Sequence, residues 1–431
     1  MRNGDVEKIA GWLTEQALAG ASETALLCGF CERTNSAGLP LSSAIAVVDT
    51  LHPIWQGRAF FWRNDGQEEE PVVEYRSTRE GEGADVWKKT AFYHLIRTGA
   101  PEVRRRIGFG DPVDFYGLDE LRNHGHKDYL ALIRRFASEA TIGQMDAIFS
   151  HWTTQHPRGF SKAHCSALRR LVPTLALGLK SISLSRIAET LVEVYLGKDA
   201  GRRVLRGSIR RGTTERINAA LWFSDLRGYT SLADWIEPSE IIPLLNDYAE
   251  MVISAVHAEG GDVLKLVGDG ILAIFQSPDG TSCALRAARG LKRHSMELNA
   301  RRQSEGRPVT IVRLGLHVGD VLYGNIGGEE RLDFTVVGPA VNEVSRIVSM
   351  CRSADRDLLA SAEFVAASSP DDQMQFASAG RFALRGVRRP QELFTVFWDD
   401  EEPASQSSGR TKSGEEDNAG VPAGASSSSS G

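Results

Sequence analysis

Residues 217–230 read INAALWFSDLRGYT, and residues 262–275 read DVLKLVGDGILAIF. In the first stretch Ile217, Ala219, Leu221 and Phe223 alternate, as one face of a buried strand does. That strand runs into Ser224-Asp225 and then into Leu226-Arg227-Gly228-Tyr229-Thr230. A carboxylate at a strand end, beside a glycine turn with free backbone N–H groups, suits a metal–phosphate site; it also suits the simple capping of a turn. In the second stretch two apolar strands flank Gly268-Asp269-Gly270, and Asp-Gly supplies the positive φ angles of a tight hairpin. Asp269 is therefore predicted at a hairpin tip. Lys265 stands among Val and Leu, where a lysine needs either a task or a route to solvent; on an edge strand solvent would suffice.

Working outward, Ile241, Leu245, Tyr248, Val252 and Ala255 form one apolar helical stripe, closed by Gly260-Gly261, with Pro243 predicted near its start. Residues 311–327, IVRLGLHVGDVLYGNIG, predict a second hairpin turning at Gly319-Asp320. Residues 332–337 predict a strand containing Thr335. Gly338-Pro339 then opens a helix, with proline at a first-turn position where its missing N–H costs little. On that helix Asn342 and Arg346 are four apart and share a face. Strands, tight turns and amphipathic helices alternate over residues 213–400, an α/β or α+β pattern.

Taken together these segments resemble the catalytic domain of class III nucleotide cyclases. WFSDLRGYT is similar to that family's first metal-binding motif, KLVGDG to its second, TVVGPAVNEVSR to its Asn–Arg motif and LRGVRRPQELFTV to its closing strand pair. The four occur in the family's order, with the Lys265–Asp269 and Asn342–Arg346 spacings intact. The resemblance implies a ferredoxin-like βαββαβ core and an adenylate cyclase that converts ATP to 3′,5′-cyclic AMP and pyrophosphate. It implies two Mg²⁺ (or Mn²⁺) per active site, held by Asp225 and Asp269, which suit hard cations. Arg346 would stabilise charge on the transferring phosphoryl group and Asn342 would orient the ribose. The backbone of Leu226, Arg227, Gly228, Tyr229 and Thr230 would cradle the phosphates.

Base choice follows from donors and acceptors. Lys265 can only donate, which matches N1 of adenine and not the protonated N1 of guanine. Thr335 stands where many family members carry Asp, and its hydroxyl can accept or donate. The Lys–Thr pair is similar to a bacterial subgroup that includes bicarbonate-responsive cyclases, which makes bicarbonate sensitivity a hypothesis to be titrated. In the family the site spans a head-to-tail dimer, so a homodimer with two equivalent sites is implied. Asp225 and Asp269 of one protomer would then face Lys265, Thr335, Asn342 and Arg346 of its partner. Arg385 either reaches a phosphate or is a surface arginine.

At 431 residues the chain exceeds one ordinary core, so two domains are expected. We expect a sensory or regulatory domain over 1–185, a helical connector over 186–212, the catalytic domain over 213–400 and a disordered tail over 401–431, which is Ser, Gly, Ala and charge. The order of elements over 143–172 resembles the end of a GAF-type sensor domain, implying a small-molecule effector; a structural or dimerising domain is the alternative. Leu184, Ile187, Leu191 and Val194 recur at three and four along the connector, which either pairs with its twin or packs on its own domain. A net charge of -6 argues against bulk nucleic-acid or anionic-membrane binding. The absence of any run of about eighteen apolar residues predicts no membrane span. The charged first ten residues and five scattered cysteines predict a cytoplasmic protein without disulfides. The lone Cys28-x-x-Cys31 favours buried packing over redox sensing, and His124, His126, His151 and His156 form no ligand motif. Three rival functions stand beside the adenylate cyclase: a guanylate cyclase, disfavoured by Lys265; a nucleotide-binding regulator without turnover, disfavoured because both aspartates and Arg346 are present; and a sensor or scaffold that signals through partner proteins, which would bind a ligand at its N-terminal domain and form no product from ATP.

Overall fold

The structure, a computed structural model, describes residues 1–65, 71–76, 78, 82–136, 143, 145–386 and 390–397. The expected tail over 401–431 lies outside the described residues, as do Val387–Arg389 of the closing strand pair. In the N-terminal half, helices α1 (Asn3–Leu18) and α2 (Glu23–Ser36) precede an antiparallel sheet. Its strands are β1 (Ser43–Asp49), β2 (Gly57–Arg63), β3 (Val72–Tyr75), β4 (Glu102–Arg105), β5 (Asp128–Arg135) and β6 (Ala147–Thr154), in the order β3-β2-β1-β6-β5-β4. Alternation along these strands feeds two cores. Ala44, Ala46, Val48, Leu130, Leu132 and Trp152 face α1, α2 and the long helix α6 (Lys162–Leu196). Val47, Tyr129, Ala131 and Phe149 face α3 (Glu82–Lys88), α4 (Ala91–Thr98) and α5 (Leu118–Asn123).

By length and composition α6 could cross a bilayer. Its apolar residues are used otherwise: Leu168, Leu171, Leu175 and Leu179, spaced three and four apart, are at most 1% exposed and pack into the domain core. Each such leucine contributes about 2 kcal/mol of burial. Ser161 starts the helix by accepting from His164 N–H. Midway, Arg186 reaches Glu23 of α2 at 3.4 Å, and the same buried carboxylate holds Arg58 of β2 at 2.8 Å. Along the expected connector stripe Ile187 is buried in the same core and Leu184 and Leu191 pack partly against it, whereas Val194 is 50% exposed. Gly197, at φ 87°, then breaks the helix and α7 (Lys198–Leu205) follows.

The C-terminal half is a mixed eight-stranded sheet built from β7 (Thr214–Leu226), β8 (Asp262–Val267), β9 (Gly270–Phe275), β10 (Val312–Gly327), β11 (Leu332–Val337), β12 (Leu358–Ser361), β13 (Phe376–Phe382) and β14 (Gln391–Val396). The order is β13-β14-β12-β10-β7-β9-β8, with β11 paired to β10. Helix α8 (Tyr229–Trp235) follows β7, α9 (Pro238–Ala258) leads into β8, α10 (Gly280–Ser304) leads into β10, and α11 (Pro339–Ala354) follows β11. The run β10-β7-β9-β8 with its crossovers α9 and α10 is the βαββαβ arrangement expected. Both faces of β7 are buried, not one: Ala220 and Trp222 face α9 and α10, while Ala219 and Leu221 join the cluster containing Ala340 and Val344 of α11.

Two sequence expectations are corrected. Helix α9 opens at Pro238, so Pro243 falls inside the helix and not at its start. No hairpin forms at Gly319-Asp320: β10 is one strand of 16 residues, with Gly319 opposite Ala219 and Asp320 opposite Asn218. The glycines of this strand serve helix packing instead. A Cβ at Gly315 would stand 2.8 Å from the Val344 carbonyl, and one at Gly319 would stand 2.7 Å from Cβ of Ala340. They lie four apart on one face of β10 and let α11, the helix of Asn342 and Arg346, lie against the sheet. Gly315→Val or Gly319→Val should therefore destabilise the domain by about 1–3 kcal/mol through overpacking. A urea melt checks this, and an unchanged midpoint would contradict the seating of α11.

Candidate active site

The last residues of β7 and the β8–β9 turn bring Asp225 and Asp269 together. Asp225 Oδ1 is buried without a hydrogen-bond partner, and Asp269 Oδ2 accepts from the backbone N–H of Leu226 at 3.3 Å. Burial, and then the negative charge of Asp269, push the Asp225 carboxyl up to about 6, with Arg313 opposing. Two carboxylates so arranged are destabilised by desolvation and mutual repulsion unless a cation sits between them. The orphaned oxygen and the all-oxygen donor set fit a hard divalent cation. Among the described residues no group of three or more His, Cys, Asp or Glu forms a metal cage. Such a cation would take its other ligands from water and phosphate.

The strand end is held from behind. Ser224 is fully buried, and its Oγ accepts from Trp222 Nε1 at 3.1 Å and from the Tyr248 hydroxyl of α9 at 3.0 Å. Burial pushes the Tyr248 phenol well above its usual range, so it stays protonated and keeps donating. This network fixes the backbone that carries Asp225, and neither Ser224 nor Tyr248 was singled out from the sequence as a support.

The phosphate cradle expected over residues 226–230 is only partly available. The N–H of Leu226 is taken by Asp269, and that of Arg227 donates to the Ile311 carbonyl at 2.8 Å. This leaves Gly228, at φ 67°, and Tyr229, where α8 begins. Thr230 lies in α8, and its side chain is outside the described set.

The residues expected to read the base and the ribose lie on β8, β11 and α11, and of these Lys265 stands four residues before Asp269. Lys265 is on β8, the outermost strand, and is exposed, so solvation alone would tolerate it there. Its ammonium nevertheless contacts the carboxylate of Asp333 on β11. Thr335 is buried two residues further along β11, opposite Gly324. Asn342 is exposed on the second turn of α11, and Arg346, one turn on, is half-buried against Gly386. Arg385 immediately precedes that glycine. A cleft of about 540 Å³ abuts the first turn of α11, lined by Arg216, His317, Asp320, Pro339 and Glu343. Within it Asp320 pairs with Arg216 at 2.6 Å, and His317 shares a 2.8 Å hydrogen bond with Ser361. Cys28 and Cys31 are free thiols in α2, Cys31 fully buried, in line with packing.

Residues 213–398 match the family model described as the adenylate and guanylate cyclase catalytic domain. Over these residues the chain therefore carries a class III adenylyl/guanylyl cyclase catalytic domain. Among characterised sequences, an adenylate cyclase of Anabaena cylindrica is 35% identical over 156 residues, covering 35% of this chain and 31% of that protein. An uncharacterised protein of Mycobacterium tuberculosis is 33% identical over 209 residues, covering 47% of this chain and 37% of that one. The matched segment thus spans about a third of the length of these relatives. Among solved structures, the adenylyl cyclase CyaB from P. aeruginosa is 24% identical, covers 45% of this chain and 100% of that chain, and has a TM-score of 0.40. The guanylyl cyclase Cya2 is 26% identical, covering 42% and 93%, with a TM-score of 0.38.

The pair of carboxylates carries a stability signature. The folded-state value for Asp225 is raised above its ordinary one, so the folded protein binds more protons between about pH 4 and 6. Its unfavourable contribution therefore grows as pH rises through that window and is complete above it. In EDTA, Asp225→Asn should melt above wild type at pH 7.5, and its advantage should shrink at pH 5. Added Mg²⁺ or Mn²⁺ should raise the wild-type melting temperature and not that of the variant. A variant no more stable than wild type at pH 7.5 would contradict the strained pair.

Proposed function

We propose that the chain is an adenylate cyclase, forming 3′,5′-cyclic AMP and pyrophosphate from ATP at sites shared between two copies of the chain. The observation that carries this reading is the half-buried Asp225–Asp269 pair, in which Asp225 Oδ1 is buried without a hydrogen-bond partner. Two divalent cations bound there, Mg²⁺ or Mn²⁺, would lower the pKa of the ribose 3′-hydroxyl and neutralise the phosphates. Everything else is done by the chain's own groups. Asp225 and Asp269 would hold those cations at the end of β7, where Gly228 and Tyr229 offer backbone N–H groups to the triphosphate. Asn342 holds the ribose so that its 3′-oxygen faces the α-phosphorus in line with the leaving pyrophosphate. Arg346, a planar fork that never loses its charge, stabilises the negative charge that builds on the transferring phosphoryl group. Lys265 donates to N1 of adenine.

Adenylyl and guanylyl cyclases both stand among the similar proteins, so the base preference rests on Lys265 and its surroundings. Completion of each site by a second copy is part of this reading, as in related cyclase domains, which act as dimers. Leu266, Val267, Leu322 and Val337 are exposed large apolar residues of the strands that bear or adjoin the site, as a mating surface would be.

The N-terminal half is proposed as a GAF-like sensory domain for a small-molecule effector, supported by its six-stranded antiparallel sheet with helices on both faces. Its route to the catalytic half is material. A Cβ on Gly197 at the end of α6 would stand 2.6 Å from the carbonyl of Val263, two residues before Lys265. Beyond it, Asp199 of α7 accepts from the Tyr323 hydroxyl of β10 at 3.0 Å and from Arg203 at 2.6 Å. A cytoplasmic site of action is proposed from the five scattered cysteines, all of them unpaired.

The shared site is tested by complementation. Asp225→Ala and Arg346→Ala proteins, each inactive alone, should regain cyclic AMP formation on mixing, to about a quarter of wild type if subunits exchange at random. Confirmed mixed dimers without activity would exclude the shared arrangement.

A further inference from the structure

The ion pair between Lys265 and Asp333 joins two strands that are not neighbours in the sheet, since β8 is its edge and β11 pairs with β10. Its setting is ordered by the alternation of the strands. Leu264, Phe334 and Val336 point inward and share one buried cluster. Lys265, Asp333 and Thr335 therefore project from the opposite faces of the same two strands, and Asp333 and Thr335 are neighbours along β11. The lysine and the carboxylate are each about 40% exposed, 42% and 40% respectively, so both are open to a ligand from outside while held to one another.

This arrangement alters how a purine edge can be read. Adenine needs a donor for N1 and an acceptor for its 6-amino group, whereas guanine presents a donor at N1 and an acceptor at O6. Lys265 supplies the donor. Thr335 supplies a hydroxyl able to act either way, which does not discriminate. A carboxylate is acceptor-only when ionised, so it accepts from an amino group and repels a carbonyl oxygen. We propose that Asp333 is a specificity-determining residue of this site: its carboxylate holds the Lys265 ammonium at the base edge and supplies the acceptor that adenine's 6-amino group requires. The inference rests on the adenylate cyclase reading above. As a purely structural link an exposed, solvent-screened ion pair contributes little to stability and has no reason to distinguish two bases.

The test is equilibrium binding of 3′-deoxy-ATP and 3′-deoxy-GTP, which lack the attacking hydroxyl and cannot cyclise, to the full chain with Mn²⁺ present. Wild type, Asp333→Ala, the near-isosteric Asp333→Asn, Asp333→Glu and Lys265→Ala are compared, with thermal melts confirming that each is folded. Wild type should prefer the adenine analogue. Asp333→Ala and Asp333→Asn should each cut that preference at least fivefold, Asp333→Asn partly by gaining affinity for the guanine analogue through its amide N–H₂. Asp333→Glu should restore part of the loss. An adenine-selective wild type whose preference survives in Asp333→Ala but not in Lys265→Ala overturns the role of Asp333 and leaves the adenine reading standing. A wild type that prefers the guanine analogue, or neither, overturns both.

Discussion

Two carboxylates meet where β7 ends and β8 turns into β9, and one of their oxygens is buried with nothing to bind. That unresolved repulsion is the constraint around which the catalytic half is organised. Asp225 is raised toward about 6 because burial and Asp269 both disfavour its charge, and divalent cations relieve both penalties at once. The surroundings keep the pair from relaxing apart. Ser224, pinned by Trp222 and Tyr248, fixes the strand end, and the Leu226 N–H fixes Asp269. A strained pair held by a satisfied network is what a site needs if it is to bind metal with the substrate rather than collapse without it.

The rest of the sheet serves to bring other chemistry to that point. Glycines 315 and 319 open a seat on β10 in which α11 lies close enough to present Asn342 and Arg346 as a rigid pair. On the other side of β7, the edge strand β8 carries both Lys265 and the approach to Asp269, four residues apart. In the proposed shared-site reading this one strand would contribute to base recognition in one active site and lead to the metal-binding carboxylate of the other. Helix α6 ends against Val263 of the same strand.

Much of this was legible in the sequence, for identifiable reasons. Asp225 and Asp269 could be placed because strand alternation and an Asp-Gly turn are local signals, readable without knowing what packs nearby. The same turn signal misled at Gly319-Asp320, where glycine answers a helix that arrives from twenty residues away in sequence. Asp333 was invisible for a related reason: its partner is 68 residues distant and on a strand with which it shares no backbone ladder. The phosphate cradle was overdrawn because a sequence shows which N–H groups exist and not which are already taken, as those of Leu226 and Arg227 are. In the N-terminal half, β3 and β4 are four-residue edge strands without a fully buried position, too short to show a period. The fold there emerges only once α1, α2 and α6 are seen covering one face.

The central claim is that the Asp225–Asp269 pair supports cyclisation of ATP, and product analysis tests it most directly. The full-length protein would be incubated with ATP or GTP, and with Mg²⁺ or Mn²⁺, beside an Asp269→Ala variant shown to be folded. The account predicts cyclic AMP from wild type, a drop of at least a hundredfold in the variant, and little cyclic GMP. Cyclic GMP as the main product, or cyclic AMP formed equally well by the Asp269→Ala variant, would contradict it.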